Sequence, residues 1–241
     1  THILLEPGWT VPRRRPPGEQ MSYCNFNYSL LGEIIRRATD GTIDAALRQF
    51  IFEPLGMTSS AMIVGEDLLP RVIERPPGIP GGPDHPGTPL SFQDPVWSSS
   101  DEGASGVHTS APDWLRFSQM ILDQGMVGDH RVLSHDAVRV MTTNQLPGVT
   151  AELGGFTRPE ASWGYGFGIS GFAPWPMFGG GTSGPKVIRH GGSGGASGWI
   201  DPIRGIAATY IEVVTEADEY GVPTSWAANR FEDVVTSAVL D

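Results

Sequence analysis

Cysteine, lysine and long apolar runs are scarce or missing in this sequence, and each absence narrows the classes of protein to consider. Cys24 is the only cysteine, so an internal disulfide cannot form. Of the 16 basic residues, one is a lysine, Lys186, and the rest are arginines. The sequence contains no run of eighteen apolar residues, so no segment is predicted to span a membrane.

Positive charge is scarce as well. The chain of 241 residues carries 27 acidic against 16 basic residues, for a net charge of −11. Nucleic acids and anionic membranes are bound by cationic surfaces, so neither is predicted as a partner. His130 and His135 have no acidic or cysteine partner at zinc-site spacing, so no metal site is predicted either.

Helical patterns come first along the chain. In the first predicted helix Leu31, Ile34, Ile35 and Ala38 share one face, which we expect to pack in the core. Residues at the predicted helix starts can cap them, and these are Asn27, Thr42, Ser110 and Ser134. A last helix is predicted over 225–240.

Strand patterns are concentrated late in the chain, over 165–169, 186–190, 197–201 and 205–214. Helices, then consecutive antiparallel strands, then a closing helix describe an α+β fold, and we expect one domain over 1–241. Residues 64–107 are rich in proline and glycine. A loop of that length predicts an insertion or a rim of the binding pocket.

Three catalytic patterns overlap in the glycine-rich stretch 182–200. Ser183 to Lys186 spells S-x-x-K, which needs the lysine one helical turn after the serine, but Gly184 and Pro185 between them favour a turn. Gly191 to Gly195 spells G-x-S-x-G, which needs a following helix and a later histidine. No histidine follows Ser193, so this interpretation fails. The third pattern is H-x-G at His190, which is weak alone.

A second stretch, PGEQMSYCNFNYSLLGEIIRRATDG (17–41), adds weight to that third pattern. Its Tyr23-Cys24-Asn25 and the helix after it resemble the Tyr-x-Asn block of the serine β-lactamase-like family. That family includes class C β-lactamases, D-alanyl-D-alanine peptidases, D-aminopeptidases and carboxylesterases. The stretches PLGMTSSAM, WGYGFGISG and IRHGGSGGASGWIDPIRGIAATYIEV resemble later family segments in the same order. The resemblance implies the β-lactamase/transpeptidase-like fold, an antiparallel sheet flanked by helices plus a mainly helical region.

The resemblance also implies roles for individual residues. Tyr23 is expected to transfer protons between the nucleophilic serine and the leaving group, which at neutral pH requires a nearby positive charge. Asn25 is expected to hydrogen-bond the substrate. His190 stands where β-lactamases usually carry a lysine. Gly191 and Gly192 would let substrate lie on the strand edge, and the backbone N–H of Ser193 would donate to the oxyanion.

One departure from the family pattern concerns the nucleophile. In the family an S-x-x-K motif precedes Tyr-x-Asn by several tens of residues, whereas 22 residues precede Tyr23 here and none is lysine. We therefore expect the nucleophile and its lysine upstream of Thr1, in a missing segment that a separate chain could also supply. The alternative is an inactive binding or scaffold module that has lost the nucleophile.

The resemblance thus implies a serine hydrolase that forms an acyl-enzyme with a small ester, amide or D-amino-acid peptide, without metal or organic cofactor. Histidine is charged only part of the time near neutral pH, unlike lysine, so it recognises a substrate carboxylate less well. An esterase or D-amino-acid peptidase is therefore expected rather than a true β-lactamase. The sequence does not indicate a compartment.

Overall fold

The structure is a computed structural model that describes residues 12, 15–73, 99–153, 156–170, 179–192, 195–212 and 228–239. The helices, in chain order, are α1 (Asn25–Thr39), α2 (Ile43–Leu47), α3 (Glu53–Leu55), α4 (Ala111–Leu122), α5 (His135–Met141) and α6 (Ala228–Ser237). A π-helical segment (Arg48–Phe52) joins α2 to α3, and a short 3-10 helix covers Leu69–Arg71. The strands are β1 (Gln20–Ser22), β2 (Met126–Val127), β3 (His130–Arg131), β4 (Thr150–Leu153), β5 (Phe156–Arg158), β6 (Gly168–Ile169), β7 (Ile188–Gly192), β8 (Ala196–Asp201) and β9 (Ile206–Ile211).

The largest described sheet has four antiparallel strands in the order β6-β7-β8-β9. A second sheet has the order β1-β4-β5, in which β1 runs parallel to β4. Strands β2 and β3 form a separate hairpin. The late strands therefore pair consecutively, as the sequence predicted, and the fold is α+β. The β8–β9 turn contains Gly205 with a positive φ of 67°, which glycine adopts without steric cost.

Short polar side chains define several helix starts. Thr42, Ser110 and Ser134 each accept a hydrogen bond from a backbone N–H in the first turn of α2, α4 and α5, so these three predicted caps are confirmed. The predicted cap at Asn27 is wrong. Helix α1 already begins at Asn25, after an extended Cys24.

The main hydrophobic core joins α4 and the segment around α3 to the four-stranded sheet. Its buried side chains include Phe52, Leu55, Met120, Ile121, Val138, Phe167, Ile169, Ile188 and Ile200. Phe52 is buried in this core, whereas Phe50, two residues earlier, is 53% exposed. The π-helical turn explains this, because its wider turn changes which side chains face inward.

The buried face of α1 is opposite to the predicted one. Leu31 and Ile34 are 53% and 60% exposed, whereas Ser29 and Gly32 are buried. A Cβ on Gly32 would lie 3.0 Å from the backbone of Gly103, so the small face of the helix contacts the backbone of a neighbouring segment. Two backbone segments can approach this closely only where the side chains between them are small, so Ser29 and Gly32 face the contact. Within the described residues, Leu31 and Ile34 are therefore left exposed.

Two predictions lie partly outside the described residues. Most of the proline- and glycine-rich rim falls in 74–98, and the predicted closing helix is described only from Ala228 as α6. Within the described residues, no helix is long and apolar enough to cross a bilayer.

Candidate active site

Tyr23 and Asn25 lie at the junction of β1 and α1. Strand β1 ends at Ser22, which pairs with Glu152 of β4, and α1 begins at Asn25. Tyr23 is half-buried, whereas Cys24 and Asn25 are exposed. The short connection fixes Tyr23 between a paired strand and a helix, so its ring has a defined direction.

His190 is positioned by the alternation of side chains along β7. Arg189 points to one side of the sheet, where it is buried against Glu232, and its neighbour His190 points to the other. The Nδ1 atom of His190 lies 2.9 Å from the carbonyl oxygen of Gly191. A carbonyl only accepts, so Nδ1 carries the proton and Nε2 keeps a lone pair that can accept a hydrogen bond.

The structure brings Tyr23 and His190 together. Their ring centroids are 6.2 Å apart, and the ring of Trp163 lies 6.0 Å from each of them. The ring of Tyr28, one turn into α1, lies 5.9 Å from the ring of Tyr23. Two sequence-predicted residues therefore meet in an aromatic cluster, defined here as Tyr23, Tyr28, Trp163 and His190.

Burial determines the protonation of both predicted residues. Burial lowers the pKa of His190 below its usual 6.5, and the Gly191 carbonyl opposes this only partly, so the ring is neutral at pH 7. Burial also raises the pKa of Tyr23, with Tyr28 and Cys24 adding to the effect. Tyr23 is therefore a neutral phenol at pH 7, and it becomes a base only if a cation is placed beside it.

The edge of β7 beyond His190 is open on one side. Strand β6 pairs with β7 only at Ile188 and Arg189, whereas β8 continues the pairing to Gly192. Within the described residues the β6 side of His190 to Gly192 therefore has no strand partner. A planar ester or amide could lie along this edge, next to the rings of Tyr23 and His190. The predicted donor Ser193 lies outside the described residues.

Ser183 and Lys186 do not form a catalytic pair. The S-x-x-K segment is a turn, as the sequence predicted, and Lys186 is exposed. The hydroxyl of Ser183 accepts a hydrogen bond from Arg189 and donates one to the hydroxyl of Ser170, 3.3 Å away. Ser183 is thus part of the Arg189 network on the other side of β7.

Sequence reasoning missed Tyr28 and Trp163. Trp163 lies in the WGYGFG stretch, which was assigned to the closing sheet without a role for this residue. A tryptophan among glycines was the available signal, because glycines leave room for a large ring. No group of three or more His, Cys, Asp or Glu residues that could hold a metal occurs in the described ranges.

Comparison with known proteins places these features in a family. The family model described as Beta-lactamase matches residues 9–221. Penicillin-binding protein 4 of Amycolatopsis lactamdurans is 29% identical over 224 residues, which cover 91% of this chain and 52% of that protein. Lovastatin esterase of Penicillium rubens is 28% identical over 180 residues, covering 68% of this chain and 44% of that protein. The crystal structure of a beta-lactamase (Mb2281c) from Mycobacterium bovis has a TM-score of 0.66 at 21% identity, over 94% of this chain and 67% of that one.

The chain spans about half the length of the curated relatives it matches. The structural likeness to Mb2281c agrees with a β-lactamase/transpeptidase-like fold. The family match covers far more than half of the chain, and it includes both Tyr23 and His190. The chain therefore belongs to the beta-lactamase family, a family of serine hydrolases.

Proposed function

We propose that the full-length protein is a serine hydrolase that cleaves esters, or amides such as D-amino-acid peptides, through an acyl-enzyme. The single observation that carries this proposal is the meeting of Tyr23 and His190, 6.2 Å apart, beside the open edge of β7. Two groups that can exchange protons stand next to a strand edge that can bind a carbonyl substrate. Relatives named as a penicillin-binding protein and as an esterase support the same reaction class.

The reaction needs a nucleophile that Ser183 does not supply, because its hydroxyl is engaged by Arg189 on the far side of β7. The proposal therefore assigns the nucleophile to a serine of an S-x-x-K motif outside this chain, whose lysine would also be the cation that Tyr23 needs. The serine oxygen attacks the substrate carbonyl carbon while its proton passes to the Tyr23–lysine pair. The bond to the leaving group then breaks, and the Tyr23 hydroxyl delivers a proton to the departing oxygen or nitrogen.

Water completes the cycle by the reverse path. It loses a proton to the Tyr23–lysine pair and attacks the acyl carbon, and the serine leaves as a hydroxyl. Asn25 is proposed to hydrogen-bond the substrate from the start of α1, where its side chain is exposed. The backbone around Gly191 and Gly192 is proposed to hold the substrate along the open edge, with the Ser193 N–H as oxyanion donor.

Esters are favoured over β-lactams because of the charge at position 190. Burial keeps His190 neutral at pH 7, so it does not offer the permanent positive charge that a lysine offers to a substrate carboxylate. Arg189, its neighbour, is directed to Glu232 on the other side of the sheet. An uncharged ester therefore loses nothing in this site, whereas an anionic β-lactam loses its usual partner.

The test is a comparison of substrates with the full-length protein. We expect p-nitrophenyl acetate and butyrate, or a D-amino-acid peptide, to be hydrolysed with a kcat/KM at least tenfold above that of penicillin. Preferential hydrolysis of penicillin would contradict the ester preference alone. No hydrolysis of any of these, together with no covalent labelling by a fluorescent penicillin, would favour the inactive binding module.

A further inference from the structure

Trp163 contacts both predicted residues in the aromatic cluster. Its ring makes an edge-type contact with Tyr23, at an interplanar angle of 62°, and with His190, at 79°. Its backbone N–H donates to the side-chain oxygen of Asn144, and its carbonyl accepts from the N–H of Gln145.

The backbone just before Trp163 is strained. Ser162 has a φ of 48°, in the left-handed region that side chains other than glycine rarely adopt. It is buried, and two hydrogen bonds hold it: the Ser162 hydroxyl donates to the Ile169 carbonyl at 2.7 Å, and the Ile169 N–H donates to the Ser162 carbonyl at 2.8 Å. Strain of this kind persists where surrounding structure enforces it, and it is concentrated at functional sites. Here it directs the next residue, Trp163, towards Tyr23 and His190.

The end of β6 leaves room for this ring. A Cβ on Gly168 would lie 3.0 Å from the Trp163 ring, which is tighter than most side chains tolerate. The ring therefore lies over Gly168. Gly168 pairs with Arg189, and beyond this pair β6 makes no further described contact with β7. Trp163 therefore lies where β6 stops pairing with β7 and the proposed substrate-binding edge begins.

We propose that Trp163 is a specificity-determining residue whose ring forms the apolar wall of the site and selects esters with an uncharged apolar substituent. The inference rests on the proposed function and deepens it. Tyr23, just before α1, and Tyr28, in its first turn, extend the same wall. Each methylene placed against such a surface contributes binding energy, so the site should discriminate by chain length.

The absence of positive charge in this wall determines which substrates it excludes. The Trp163 indole carries no charge, and the His190 ring beside it is neutral at pH 7. A carboxylate moved against these rings would lose water without gaining a cation, which is costly. The wall therefore accepts alkyl or aryl groups and rejects anionic ones.

The experiment measures kcat/KM of the full-length protein for p-nitrophenyl acetate, butyrate and hexanoate, and for methyl and hexyl acetate. The variants are Trp163→Ala and Trp163→Phe, and the control is Tyr165→Ala, an aromatic residue two positions later that is 60% exposed. Saturation-transfer NMR with hexanamide, compared with hexanoate, measures binding without requiring any nucleophile.

We expect Trp163→Ala to reduce the preference for the longest chain over the shortest by about tenfold or more, in at least one of the two series. Trp163→Phe should keep most of the preference, and Tyr165→Ala all of it. Hexanamide should bind better than hexanoate and lose its signal in Trp163→Ala. If Trp163→Ala lowers kcat/KM equally for every ester, or for none of them, the inference is overturned while the proposed ester hydrolysis stands. If no ester is cleaved but hexanamide binding depends on Trp163, the proposed function fails and the apolar wall stands; if that binding is also absent, both fail.

Discussion

The ring of His190 lies 6.2 Å from the ring of Tyr23, although one residue is near the start of the described chain and the other is on β7. Tyr23 is held by β1 and α1, and His190 by the four-stranded sheet. The site is thus formed where two separately anchored parts of the fold meet, and changes on either side can be tested independently.

Removal of the Tyr23 hydroxyl tests its proposed role in proton transfer. We expect Tyr23→Phe to lower kcat of the full-length protein about 10²- to 10⁴-fold on p-nitrophenyl butyrate, the usual range for loss of a general acid–base. The ring contacts with Trp163 and His190 remain, so thermal unfolding should change little. Tyr165→Phe, which removes a hydroxyl from an exposed ring, is the control. A near-normal rate in Tyr23→Phe would remove Tyr23 from the mechanism.

The buried state of His190 predicts how stability depends on pH. Its pKa is lowered in the folded protein, so below pH 6.5 the unfolded chain binds a proton that the folded chain does not. This contribution to the free energy of unfolding is absent well above pH 6.5 and becomes unfavourable as the pH falls, by at most about 1.4 kcal/mol per pH unit. Tyr23, the titratable ring that faces it, stays protonated throughout this range.

The measurement is urea unfolding of the wild type and of His190→Gln at pH 7.5 and 5.5, with an NMR titration of the His190 ring. The wild type should lose more stability than the variant on acidification. Equal losses, or a ring that titrates at or above 6.5, would show that His190 is not buried as a neutral group.

The ion pair behind His190 predicts a large effect on stability. Arg189 Nη1 lies 2.7 Å from Glu232 Oε2, and both side chains are almost fully buried. Arg189→Met leaves a buried carboxylate without its partner and should cost about 3–5 kcal/mol of unfolding free energy. The double variant with Glu232→Leu should recover a large part of this loss.

A matched exposed pair serves as the control. Arg139 and Asp136 lie 3.2 Å apart with 57% and 82% of their side chains exposed. Arg139→Met should therefore change the unfolding free energy by less than about 1 kcal/mol in denaturant titrations. Similar costs at the two arginines would contradict the burial of the Arg189–Glu232 pair.

The close packing of Gly103 on α1 predicts a third effect on stability. A Cβ at Gly103 would lie 2.3 Å from the carbonyl oxygen of Tyr28, so Gly103→Ala must displace the helix that follows Tyr23. We expect a loss of about 1–3 kcal/mol and reduced ester hydrolysis. At Gly41 the nearest atom to a new Cβ is 3.7 Å away, so Gly41→Ala should be nearly neutral. Comparable thermal midpoints for the two variants would contradict this packing.

The sequence predicted those features that depend on local signals. Thr42, Ser110 and Ser134 begin helices because their side chains bond nearby backbone groups, and such bonds need no tertiary information. The turn at Ser183 to Lys186 was predicted for the same reason, from glycine and proline. The α+β order followed from the periodicity of the late strands.

Features that depend on tertiary contacts were not predictable in this way. Leu31 and Ile34 form an apolar stripe, yet the described structure buries Ser29 and Gly32, because a backbone approach at Gly103 selects the small face of α1. The place of Trp163 in the site was not predicted, because it depends on the strained backbone at Ser162 and on the space above Gly168. The glycines around Trp163 indicate room for a large ring, but one sequence does not show which residues that ring contacts.

The most direct test of the central claim is the location of the acyl-enzyme. The full-length protein is treated with a p-nitrophenyl ester or an alkyl fluorophosphonate, quenched, digested and mapped by mass spectrometry. The proposed mechanism predicts one adduct, on a serine followed three residues later by lysine and outside the 241 residues of this chain, with slower formation in Tyr23→Phe. An adduct on Ser183 or Ser193, or no adduct while esters are still hydrolysed, would contradict it.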